Sequence, residues 1–181
     1  MEIRESTDAD TMEMVNLHVE AFGNEEGPKV AALVNDLLND KSAMPLLSLV
    51  AVENGKIIGH ILFTKASITQ TAESVSARIL APLAVHPDAQ SKGIGRQLIK
   101  KGLNSLKNSG VELVFVLGHP DYYPRAGFIQ AGAHGFEAPF PIPDEHAGAW
   151  MVQELCPGVR GRVKGKVKCS EVLNQPEHWR E

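Results

Sequence analysis

Cysteine is scarce in this 181-residue sequence: there are two, Cys156 and Cys169, outside any CxxC pair or His-rich tract. Disulfide-dense secreted scaffolds and zinc sites need thiols in clusters, so both are disfavoured and a reducing compartment is expected. Long apolar runs are also missing. None approaches the ~20 residues of a membrane helix, and the opening MEIREST carries charges where a secretory leader needs an apolar core. The expected location is therefore the cytoplasm, with no membrane partner. Positive charge is not in excess either: 18 Lys and Arg against 22 Asp and Glu give a formal net charge of −4. Such a chain has no general attraction for nucleic acid or an anionic membrane, and any anion site has to be local. Internal repeats and long low-complexity linkers are absent. What remains, 43% hydrophobic and 22% charged residues in a chain of this length, is the composition of one soluble folded domain.

The apolar pattern divides this chain into alternating elements. Thr7-Asp8-Ala9-Asp10 has the form of a capping box with Asp in place of Glu. Met14, Leu17, His18 and Ala21 follow at helical spacing, which predicts a helix over 8–22 that Gly23 ends. Val30, Leu33, Val34, Leu37 and Leu38 predict a second, shorter helix. Runs 47–52 and 56–64 flank Asn54-Gly55, the strongest short hairpin signal, because both residues tolerate positive φ. A long run over 75–85 carries Pro82, so that strand should be an edge or be bulged there. A helix from Gly93 buries Ile94, Leu98, Ile99, Leu103 and Leu106 and stops at Asn108-Ser109-Gly110. LVFVL, 113–117, reads as a fully buried strand, making 75–117 a strand, helix, strand crossover in a mixed α/β sheet. A Pro- and Gly-rich stretch follows residue 130, and 149–155 is strand-like again.

The stretch VHPDAQSKGIGRQLIKK, 85–101, places two glycines where a helix begins. The first four N–H groups of a helix have no internal partner and attract anions. Glycine keeps Cβ atoms out of their way, Lys92 and Arg96 add cationic donors and Gln90 an amide, so a pyrophosphate is a sensible occupant. A Walker A loop does not fit, because Lys92 precedes the glycine and no Ser or Thr follows; a GxGxxG fingerprint fails at Leu98. The reading without a ligand, a tight strand-to-helix turn, stays open on these letters alone.

Gln90-Ser91-Lys92-Gly93-Ile94-Gly95 matches the Q/R-x-x-G-x-G/A signature of the GNAT superfamily of acyl-CoA-dependent N-acyltransferases, and Leu83-Ala84-Val85-His86-Pro87 precedes it as is usual in that family. Tyr122-Tyr123-Pro124-Arg125-Ala126-Gly127-Phe128 resembles the family's F/Y-Y-x-K/R-x-G-F segment. VLGHPDYYPRAGF and the ending PEHWRE further resemble a bacterial subgroup of predicted acetyltransferases of undefined substrate. The resemblance implies an α+β GNAT-like fold over 1–155: a mixed, largely antiparallel sheet with bulged, splayed central strands and flanking helices. Residues 156–181 would be a C-terminal extension packed on the same domain. It implies acetyl-CoA as co-substrate and no metal. Amides around Lys92, Gly93, Ile94, Gly95 and Arg96, together with Gln90 and Ser91, would hold the pyrophosphate, and the backbone of Leu83, Ala84 and Val85 would pair with the pantetheine arm. Tyr123 takes the family's general-acid position, protonating the leaving thiolate; the alternative is that Tyr122 and Tyr123 are packing residues.

Transfer to an amine also needs a base, since a lysine-like amine has a pKa of about 10.4. Glu73, His119, Asp121 and Glu137 have suitable chemistry, and a water chain would leave no trace in sequence; His86 reads as turn chemistry. The Asn that many members carry after the last core strand is missing from Gly118-His119-Pro120-Asp121. Neither cysteine falls in a matched position, which favours direct transfer over an acyl-cysteine route. The acceptor would be a small-molecule or peptide amine; a non-catalytic acyl-CoA sensor is the rival reading, and a homodimer is left open. Finally, Arg160, Arg162, Lys164, Lys166 and Lys168 alternate with small or apolar residues. On a strand that is either a face for an acidic partner or an edge guarded by charge, and the second is preferred. Phe136, Phe140 and Trp150 would line the acceptor side of the cleft or cover the core.

Overall fold

A computed structural model describes residues 1–180. The strands are β1 (Glu2–Glu5), β2 (Leu47–Glu53), β3 (Lys56–Ile68), β4 (Ala77–Val85), β5 (Leu113–Leu117), β6 (Ile129–Gln130), β7 (Phe136–Glu137), β8 (Trp150–Glu154) and β9 (Gly165–Lys168); the helices are α1 (Thr11–Leu38), α2 (Ile94–Asn108) and α3 (Val159–Arg162). The main sheet runs β1-β2-β3-β4-β5-β8-β6. All its pairings are antiparallel except β4 with β5. That exception follows from the crossover through α2, which returns the chain in the same direction. β9 pairs with the far end of β3 and with β7.

The local signals act as their chemistry dictates. The Asp10 carboxylate accepts the Thr7 N–H at 2.7 Å, completing the capping box, and is gripped by Arg4 at 2.7 Å. Asn54 and Gly55 turn the β2–β3 hairpin with φ of 53° and 75°. Around Pro82 the register moves from Phe63↔Leu80 to Ile61↔Leu83, so β4 spends one extra residue there. A bulge suits a residue that has no N–H to give the ladder.

Two expectations are corrected. Gly23 does not end the first helix, and the two predicted helices are one: α1 runs through 23–30 with a single break at Gly23, φ 84°. One glycine absorbs the change of direction, and Asn24-Glu25-Glu26 then suits the positive first turn of the second half. The basic stripe is not one strand either. Arg160 and Arg162 lie on α3, and only Lys166 and Lys168 are in β9. Arg162 faces Glu73 at 3.4 Å and Glu112 at 3.9 Å, so the row of free cations is interrupted.

α2 covers one face of the sheet with Ile94, Leu98, Ile99, Leu103 and Leu106, all buried. A Cβ at Gly102 would collide with the Phe63 ring, so glycine there lets helix and sheet close together. The opposite face is covered in two parts. α1 packs Met14 and Leu17 over Val50, Ile57 and Ala84, while Leu37, Phe115, Phe136, Trp150 and Trp179 form a second core. Trp179 donates to the Leu173 carbonyl at 2.9 Å and meets Trp150 edge-on at 5.5 Å. Residues near the C-terminus thereby complete a core begun by α1.

Candidate active site

β4 and β5 pair over Ala77–Leu80 and Leu113–Val116, and there the pairing stops. Beyond it, residues 81–85 have β3 on one side and, among the described residues, no strand on the other. The His86 N–H donates to Ile58 of β3 at 2.8 Å. Because the N–H groups of a strand alternate sides, those of Leu83 and Val85 point away from β3, into the open fork. Ala84 is buried against α1, while Leu83 and Val85 are half-buried on the α2 side.

The fork leads to the start of α2. Ser91 and Gly93 have φ of 66° and 80°, and a Cβ on Gly93 would meet nothing within 4 Å. Gly93 is therefore needed for its backbone conformation and faces open space. Gly95 serves differently: a Cβ there would collide with the Tyr122 hydroxyl. Ser91, Lys92 and Arg96 are exposed around the turn, and Ile94 is buried beneath it. Gln90 is already engaged, its Nε2 donating to the Val85 carbonyl at 3.0 Å, so it braces the turn against the strand. His86 is turn chemistry: its Nδ1 accepts the Asp88 N–H at 3.2 Å, and its Nε2 lies 2.6 Å from Glu20 of α1.

Tyr122 and Tyr123 stand beside the fork, on the segment that follows β5, with ring centroids 5.1 Å apart and edge to face. Tyr123 is 8% exposed and packs on Phe128 and against Gly118, where a Cβ would strike its ring. Burial holds its phenol protonated far above the ordinary tyrosine range. Tyr122 is half-buried; burial raises its pKa and the positive charge of Arg96 opposes the rise. A groove of about 610 Å³ runs along α2 past the tyrosine segment, lined by Gly93, Arg96, Lys100, Lys107, Arg125 and Gln153 among others. Arg96, Lys100, Lys107 and Arg125 give the groove a positive field that favours an anionic ligand.

Of the carboxylates and imidazole with base chemistry, Glu73 precedes β4, at the closed end of the fork, and is held by Arg162. Glu137 lies on β7 beside β9. His119 and Asp121 follow β5 at the open end and are exposed. Phe136 and Trp150 are core residues, and Phe140 is half-buried. Cys156 and Cys169 do not line the groove. No motif in the sequence marks Tyr122 as the neighbour of Gly95, nor Arg125 and Gln153 as groove residues, since these contacts join segments far apart in the chain.

Under α1 the structure also buries His18 and His60 completely, the Nε2 of the first 2.8 Å from the Nδ1 of the second. The sequence shows His18 only as a residue at helical spacing. Burial lowers the His18 pKa to about 4; burial and the neighbouring His18 hold His60 well below 6.5. In the unfolded chain both imidazoles take up protons near pH 6.5, while the folded chain does not. Stability is therefore full above pH 6.5 and falls as the pH drops toward about 4. The expected slope is about 1.4 kcal/mol per pH unit for each imidazole. Melting curves from pH 7.5 to 4.5 should fall more gently for His60→Gln than for the parent; equal slopes would refute the assignment.

A strand fork with one free edge thus opens at a glycine-lined helix mouth, with a cationic groove beyond it. The family model for the GNAT acetyltransferase domain matches residues 2–131. The uncharacterized N-acetyltransferase YjhQ of Escherichia coli strain K12 is 44% identical over 164 residues, covering 90% of this chain and 88% of its own. The crystal structure of the E. coli GNAT N-acetyltransferase YhbS in complex with CoA superposes with a TM-score of 0.85 at 30% identity, covering 96% of this chain and 92% of that one. A GNAT acetyltransferase from Brucella melitensis in complex with acetyl-CoA gives 0.73 at 26% identity, with 95% and 97% covered. The chain belongs to the GNAT family of acetyltransferases.

Proposed function

We propose that this protein transfers the acetyl group of acetyl-CoA directly to a primary amine of a small molecule or peptide. The observation that carries the reading is the unpaired edge of β4, residues 81–85, which ends at the α2 mouth. The relatives solved with CoA and acetyl-CoA support the choice of coenzyme. In this reading the amides from Lys92 to Arg96 bind the pyrophosphate, helped by the positive end of the α2 dipole. Leu83 and Val85 pair with the pantetheine arm, and the Leu83 N–H stabilises the oxyanion of the attacked thioester carbonyl. Tyr123, kept protonated by burial, donates to the departing thiolate. Residues 1–155 carry the transfer site, and 156–180 brace it through the second core.

The test is thiol release from acetyl-CoA in the presence of polyamines, amino acids, aminoglycosides and peptides. Release that depends on one class of amine is expected. Tight acetyl-CoA binding with no release on any amine would instead identify a coenzyme sensor.

A further inference from the structure

The buried histidines belong to a longer file of polar groups. His60 Nε2 lies 2.8 Å from Ser48 Oγ, and Ser48 Oγ lies 2.7 Å from Ser6 Oγ. Ser6 follows β1 and is only half-buried. Side chains from α1, β3, β2 and the β1 turn thus connect the interior to the rim without a gap. The inner end of the file is His18 Nδ1, which is buried and has no hydrogen-bond partner.

A polar atom left unpaired in a core is destabilising, and apolar side chains of similar size would pack there without the penalty. One tautomeric arrangement keeps every ring N–H partnered: His18 Nε2–H donates to His60 Nδ1, and His60 Nε2–H donates to Ser48 Oγ. His18 Nδ1 then carries a bare lone pair. The reverse arrangement would bury an N–H with no acceptor, the rarer and costlier defect. The open end is therefore a proton acceptor.

Its place is also specific. His60 stands opposite Ala84 in the β3–β4 register, and cross-strand partners project from the same face. The dyad thus lies under the 83–85 segment, on the face away from α2. His18 stacks on the part-exposed Phe22 at 6.0 Å, just before the break at Gly23. In the acetyl-transfer reading the coenzyme lies along α2, and the dyad backs the 83–85 segment from the other face.

We propose that His18, His60, Ser48 and Ser6 form a proton exit for the acetyl-transfer reaction, a role that rests on the amine-acetylation reading above. An ammonium acceptor has to shed one proton before its nitrogen can attack. That proton goes to His18 Nδ1 as the His18 Nε2 proton moves to His60 Nδ1. The His60 Nε2 proton moves to Ser48 Oγ, the Ser48 proton to Ser6 Oγ, and the Ser6 proton to water. The freed lone pair forms the C–N bond while the C–S bond breaks, and the second amine proton ends on the thiol by way of Tyr123. Ammonium and acetyl-CoA give amide, free CoA thiol and one proton. His60, Ser48 and Ser6 are positioning residues, acting only through His18.

The test uses the full chain with acetyl-CoA, n-butylamine and the amine panel. His60→Gln keeps bulk and hydrogen bonding but cannot hand a proton on; its kcat should fall about 100-fold while KM and Kd for acetyl-CoA stay at parent values. Ser48→Ala, a smaller change, should lower kcat and leave the same binding intact. Added imidazole should restore kcat to His18→Ala. Parent-like kcat in both His60→Gln and Ser48→Ala would overturn the proton exit and leave acetyl transfer standing. A parent that acetylates no amine tested would overturn the transfer reading and the exit with it.

Discussion

Replacing Tyr123 by Phe should lower kcat by about 100-fold or more, the usual loss when a general acid is removed, while acetyl-CoA affinity changes little. The ring would still fill its place between Gly118 and Phe128, so the fold should survive the loss of one oxygen. Tyr122→Phe is the control, because Tyr122 is the tyrosine whose hydroxyl lies over Gly95. If Tyr123 is the donor, kcat drops in Tyr123→Phe, and Tyr122→Phe acts mainly on coenzyme binding. Stopped-flow or steady-state thiol release with a working amine separates the two. Full kcat in Tyr123→Phe would remove it from the mechanism and reduce it to packing.

The second large effect is expected at Gly95. A valine there must displace the Tyr122 hydroxyl and stand over the first free amides of α2. Hydrogen bonds to a charged group contribute about 1.5–3 kcal/mol each, so losing one or two should weaken acetyl-CoA binding by roughly 100-fold, at about 1.4 kcal/mol per factor of ten. Gly95→Ala with Tyr122→Phe is the informative pair: removing the hydroxyl relieves the collision, so the double variant should bind better than Gly95→Ala alone. Gly93→Ala should behave differently. Its Cβ meets open space, but its φ of 80° is unfavourable for alanine, so thermal stability should fall before affinity does. Calorimetric titration with acetyl-CoA distinguishes the four variants. Unchanged affinity in Gly95→Val would move the diphosphate away from this helix mouth.

Much of the fold was legible because its signals are local. The capping box at Thr7 to Asp10, the Asn54-Gly55 turn, the disturbance at Pro82 and the apolar stripe of α2 each depend on residues within a few positions of one another. Errors arose where a local rule had more than one outcome. Gly23 could end a helix or bend it, and α1 bends. The Arg160 to Lys168 alternation could form one strand, but its first half closes into a turn of helix that buries Val159 and Val163 in the second core.

The glycine turn and the tyrosine segment were readable as motifs, but their mutual geometry was not. That Gly95 exists to admit Tyr122, that Gln90 is spent on Val85, and that Arg125 shares a groove with Lys100 are contacts made only after β4, α2 and β5 have packed. The His18–His60 pair joins residues 42 apart in the chain. Either histidine alone looks like an ordinary residue on a helix or strand.

The order of amino acids by itself determined which segments become strand or helix, where the backbone turns, and which stretch can present free amides to an anion, because steric and hydrogen-bonding preferences act over a few residues. Tertiary packing decided which strands separate to leave an edge open, which tyrosine meets the helix mouth, and which imidazoles lose their water. Those outcomes depend on desolvation and on surfaces brought together across the whole chain, and no short stretch of sequence contains them.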